Sequence, residues 1–109
     1  MIWAPWSAHS QEAFTSLDRA RDYFTHADVS IAAAADPGSA EDEITRQWSA
    51  FQTNVPRVPL SAKGLALTEA RNQMPTTLLF KDGVLIDRRL GAQSFDRLRD
   101  WVGAAAGLK

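Results

Sequence analysis

A chain of 109 residues with 45% hydrophobic and 23% charged side chains has room for one domain, whose core needs neither disulfides nor metals. Its 12 basic and 13 acidic residues leave a net charge of −1, which gives nucleic acid or an anionic membrane no reason to bind. There is no cysteine, the two histidines are not spaced as a metal pair, and no apolar run approaches the roughly 18 residues of a spanning helix.

No basic-then-apolar leader precedes Trp3, so no secretory signal is expected. Met1 to Ala4 is a short apolar start, too brief to assign alone. From Ser10 to Phe24 the spacing predicts a helix: Ala13, Phe14, Leu17, Ala20, Tyr23 and Phe24 recur at three- and four-residue intervals, with charged residues between them. Asp28 to Ala35 reads as a buried strand of small side chains, ended by the breaker Asp36-Pro37-Gly38. Ser39 then reads as an N-cap. Glu41, Asp42 and Glu43 crowd the first turn of the next helix, where the helix dipole favours negative charge, and are not a catalytic carboxylate pair. That helix turns Ile44, Trp48 and Phe51 inward and stops near Asn54.

Pro56 and Pro59 keep the next stretch extended. Lys63 to Arg71 reads as a short helix. Thr76 to Phe80 and Val84 to Leu90 read as two strands joined at Lys81-Asp82-Gly83, since Asp-Gly between apolar runs is a strong hairpin signal. Arg88 and Arg89 on the second strand read as one solvated face, and His26 as a solvated loop residue. Ser94 caps a last helix carrying Phe95, Leu98, Trp101 and Val102 on one side. The order is β-α-β-α-β-β-α with a small extra helix before the hairpin. It implies an α/β fold, with a central mixed sheet of about four strands flanked by helices on both faces.

The stretch "WAPWSAHS" at the first strand-to-helix turn carries the chemistry to be weighed. Ser7 and Ser10 both suit a helix cap. Ser7 and His9 lie two apart at a helix start, so their side chains diverge. No acid is placed to orient His9, and a serine-hydrolase reading is weak. His9 has no partner for metal binding.

The order of elements, with "WAPW" at the first turn and "MPTTLLFKDG" at the third strand, resembles the thioredoxin superfamily. The longer middle resembles the TlpA and ResA branch, thiol-disulfide reductases of the periplasm or outward-facing membrane surface. The resemblance implies one thioredoxin-like domain over residues 1–109 with its first strand truncated. It implies that Ser7 and Ser10 occupy the positions of the attacking and resolving cysteines, and that Met74-Pro75 is cis. It also implies a substrate groove formed by Trp6, Ala8, His9, Met74, Pro75, Gly91 and Ala92. Met1 falls where many thioredoxins have a buried acid. No metal and no cofactor are implied.

Two functions stay open. One is an oxidoreductase domain with both sulfurs replaced by serine, redox-inactive as written and extracytoplasmic by resemblance. The other is a natural, non-catalytic protein-binding module, for which a cytoplasmic location is the alternative. Either would take a protein or peptide in the groove beside Pro75, and the first would meet a redox partner protein once cysteines are restored. The short first strand adds an expectation of marginal stability or self-association, because its neighbours would be left with unpaired backbone.

Overall fold

The computed structural model describes residues 1–68 and 74–107. The elements follow in the order β1 (Ile2–Trp3), α1 (Ser10–Tyr23), β2 (Ala34–Ala35), α2 (Glu41–Phe51), α3 (Ala62–Thr68), β3 (Thr76–Lys81), β4 (Val84–Leu90) and α4 (Phe95–Ala105). One mixed sheet has the strand order β2-β1-β3-β4. β1 runs parallel to β2 and antiparallel to β3, and β3 and β4 form the expected hairpin.

Alternation along β1 decides the layers. Trp3 points into the main core with Phe14, Leu17 and Ala20 of α1, Phe24 just after it, Ile44 of α2, and Leu98 and Trp101 of α4. Trp48 and Phe51 of α2 pack against that cluster. Ile2 points to the opposite face, where it meets Leu65 of α3, with Leu60, Met74 and Leu78 around them. Helices therefore cover both faces, and the Trp3 face holds most of the core. The smaller cover leaves Phe80, Ile86, Leu90 and Leu67 at least half exposed or nearly so, at 56%, 49%, 53% and 75%.

The two-residue hairpin turn forms because Asp82 and Gly83 both adopt positive φ, at 53° and 80°. Asp-Gly tolerates this backbone, and its twist matches the strands it joins. Lys81, expected in the turn, is the last residue of β3 and pairs with Val84.

Three readings need correction. Of the strand expected over Asp28 to Ala35, only Ala34–Ala35 form β2, with Ala33 bridging to Arg57. A strand exists only where it has a partner, and β1 offers just two residues. Ser39 is not the cap of α2. Ala40 is, without a side-chain bond, while the Ser39 hydroxyl donates to Asp36 at 3.0 Å. Arg88 and Arg89 do not share a face, since neighbours on a strand point to opposite sides. Arg88 Nη1 donates to the Thr68 carbonyl at 2.7 Å on the α3 side, whereas Arg89 lies 4.8 Å above the Trp101 ring on the α4 side. The helix expected over Lys63 to Arg71 appears as α3, and its residues 69–71 lie outside the described residues.

Candidate functional site

The site is built where β1 gives way to α1. Its carbonyls and its indole are held partly within the turn and partly by residues of other elements. The Ala4 carbonyl accepts from the Ser7 amide at 3.1 Å and from the Ser10 hydroxyl at 3.3 Å. The Pro5 carbonyl accepts from Gln47 Nε2 of α2 at 2.9 Å. Trp6 Nε1 donates to Asp36 Oδ2 at 3.3 Å, and the Asp36 carboxylate also accepts from the Gly38 amide at 3.1 Å and the Ser39 hydroxyl at 3.0 Å. The Ser7 hydroxyl crosses to the start of β3 and donates to the Met74 carbonyl at 3.0 Å.

Neither serine caps the helix. Ser7 lies in the turn ahead of α1, and Ser10 is its first helical residue. His9 stands at the N-cap with no side-chain bond. Both hydroxyls are spent on carbonyls outside the helix. The nearest acid to His9 is Glu12, one turn on, whose Oε2 lies 3.6 Å from the imidazole Nδ1. Both side chains are well exposed and the distance is too long for a hydrogen bond, so Glu12 does not hold the imidazole in place.

On the facing side the Met74-Pro75 peptide is cis, and the Pro75 carbonyl accepts from the Gly91 amide at 2.8 Å. Gly91 has φ 80°, a backbone that suits glycine. Gln93 Nε2 reaches back to the Leu90 carbonyl at 3.0 Å and fixes the bend after β4. Of the residues expected at the site, the structure joins Ser7 to Met74 and Pro75 to Gly91. Trp6 is 57% exposed and is held by Asp36. Ser10 and Pro75 are buried, Met74 and Ala92 are half-buried, and Ala8, His9 and Gly91 are exposed.

Sequence reasoning missed Asp36 and Gln47. In the sequence Asp36 belongs to the breaker Asp36-Pro37-Gly38, yet an acid directly after a buried strand is placed to reach across the strand end. Gln47 carried no signal, because glutamine on a helix is ordinary and its partner lies 42 residues away.

The site is open. Clefts of about 430 and 440 Å³ occur elsewhere, one beside Asp28, Lys81 and Asp82 and one beside Asp36, Arg57 and Pro59, and neither is lined by Ser7, Ser10, Met74 or Pro75. Among the described residues no group of three or more His, Asp or Glu could hold a metal ion, and no helix is long and apolar enough to cross a membrane.

No family model matches the chain, and no curated protein is significantly similar to it. Solved structures match along nearly its full length. StoA from Bacillus subtilis aligns with a TM-score of 0.71 at 17% identity, over 92% of this chain and 77% of StoA. A protein assigned as the thiol:disulfide interchange protein DsbE of Chlorobium tepidum aligns with a TM-score of 0.80 at 18% identity, over 97% of this chain and 77% of that one. The fold is thioredoxin-like. In this thioredoxin-like fold the β1–α1 turn and the Met74–Pro75 stretch are tied together by Ser7, and the chain has no cysteine with which to use them for disulfide exchange.

Proposed function

We propose that this chain is a thioredoxin-like domain of the thiol-disulfide oxidoreductase type, in which serine stands at both sulfur positions. The supporting observation is the placement of Ser7 and Ser10 at the entry to α1, with Ser7 against Met74. Exchange requires a thiolate attacking a disulfide sulfur, and a helix start favours the thiolate. A serine hydroxyl is too weak an acid to ionise there and forms no stable S–O link. The domain is therefore redox-silent as written. Restoring cysteine at both positions tests the reading. Ser7→Cys/Ser10→Cys should form a reducible intramolecular disulfide, seen by thiol titration across a series of glutathione potentials. A folded double variant whose thiols stay free at every potential would defeat it.

A second reading is a non-catalytic module that binds an extended peptide by strand addition next to Pro75, flanked by Trp6, Ala8, His9, Met74, Gly91 and Ala92. The observation favouring it is that both hydroxyls act as hydrogen-bond donors to carbonyls, a task a thiol performs poorly. The serines fit this backbone as serines. Peptide titration of the unaltered chain, followed by amide and indole shifts of Trp6, Met74 and Gly91, tests this reading.

A further inference from the structure

The Met74 carbonyl stands at the end of the sheet ladder. The last partner of β1 on β3 is Thr76, opposite Ile2, and the last partner of β4 is also Thr76, opposite Leu90. Beyond that point the main chain continues through Pro75, whose carbonyl is taken by Gly91, to Met74, whose carbonyl is taken by the Ser7 hydroxyl. The Ser7 contact differs in kind from the others. It is a side-chain bond from a half-buried residue in a turn, reaching across 67 residues of sequence to a half-buried carbonyl.

We propose that the Ser7 hydroxyl is a latch that closes the Met74 end of the groove, and that a peptide must displace it in order to pair there. The inference rests on the groove being a peptide site. Neighbouring strands sit about 4.7–4.9 Å apart. With Ser7 Oγ at 3.0 Å from the Met74 oxygen, no backbone fits between the two on that side. The hydroxyl takes the lone pair of the Met74 oxygen that faces the β1–α1 turn, so an amide approaching from that side competes with it. A serine makes this latch and an alanine does not. A cysteine makes a much weaker one, since the thiol is a poor donor. The substitution that removes redox chemistry thus also sets how readily the groove opens.

The test compares the full chain with its Ser7→Ala variant, using a fluorescein-labelled peptide of alternating valine and threonine with lysine at each end. The carbon-13 shift of the Met74 carbonyl reports the latch directly and should move in Ser7→Ala without peptide. One net hydrogen bond is worth roughly a three- to tenfold change in binding constant, so Ser7→Ala should bind the peptide tighter by about that factor. Equal or weaker binding by Ser7→Ala overturns the latch and leaves the peptide reading standing. No binding by either protein overturns both.

Discussion

Asp18 of α1 holds the chain as it leaves α2: its Oδ1 accepts from Thr53 Oγ1 at 2.8 Å and from the Asn54 amide at 3.1 Å. The tie ends the segment that begins with Gln52, a non-glycine residue at φ 52°, and delivers Val55 into the core at 2% exposure. Charge-assisted bonds contribute about 1.5–3 kcal/mol when shielded. Asp18 is half-buried and Asn54 is exposed, so Asp18→Ala should cost about 1–2 kcal/mol, with Asp18→Asn losing less. Urea denaturation with an unchanged slope would measure it. An effect near zero would mean that solvent replaces both bonds.

Trp3 is the centre of the aromatic core. It is fully buried, with ring centroids of Phe51 at 5.0 Å, Phe14 at 5.8 Å and Trp48 at 6.1 Å. Truncating a buried aromatic costs about 3–5 kcal/mol, a large share of the roughly 5–15 kcal/mol that holds a domain together. Trp3→Ala should lower the stability by about 3–5 kcal/mol, read from the urea midpoint. Trp3→Phe should be far milder, because the indole Nε1 is buried without a hydrogen-bond partner and phenylalanine removes that cost. Equal damage from both variants would show that volume alone matters at this position.

Local rules that needed no distant partner were readable in the sequence. Ser94 caps α4 as expected, its hydroxyl accepting from the Arg97 amide at 3.2 Å. The Asp-Gly hairpin also forms as expected. Ser39 failed because α2 starts at Glu41, which puts Ala40 at the cap and Ser39 one residue too early, in the turn held by Asp36. The strand expected from Asp28 failed because apolar patterning says nothing about the length of the neighbouring strand. At the site, Ser7 and Met74 are 67 residues apart, and no periodicity links them. Their meeting could be anticipated only from the resemblance in fold order.

Gly83 tests the hairpin. An L-residue at φ 80° pays about 1–2 kcal/mol. No atom lies within 4 Å of a Cβ added there, so the cost is purely conformational. Gly83→Ala should lower stability by about 1 kcal/mol, while Asp82→Asn should be close to neutral, because asparagine suits the first turn position equally. A large loss from Asp82→Asn would point to a role for the carboxylate that the turn geometry does not supply.

The amine of Met1 gives the 109-residue chain a pH dependence. It donates to the Ala32 carbonyl at 2.8 Å, and burial lowers its pKa from 8.0 to about 6. Between those values the unfolded chain binds the proton and the folded chain does not, so stability rises with pH from about 6 to about 8 and is lost as pH falls through that window. A full two-unit shift would be worth about 2.7 kcal/mol; with Met1 only half-buried as a residue, about 1–2 kcal/mol is expected between pH 6 and pH 8. Acetylating the amine keeps an N–H donor and removes the titration, so it should flatten the melting temperature across this range. An unchanged slope after acetylation would assign the effect to another group.

β3 pairs with β1 only at Thr76, yet it runs on to Lys81 with β4 as its partner on the other edge. Across from Leu78 and Leu79 stand Val29, Ser30, Ile31 and Ala32, and the space between is floored by Leu17, Ala20, Leu98 and Trp101. Core and half-buried side chains border this cleft of about 90 Å³, and a strand whose neighbour stops short is a template for pairing with another chain. We propose that the 109-residue chain self-associates through this region. Sedimentation at rising concentration should show species heavier than a monomer. Leu79→Lys, which sets a charge into the gap, should return the chain to a monomer at some cost in stability. A chain that stays monomeric throughout, with a sharp cooperative melt, would show that the gap closes without a partner.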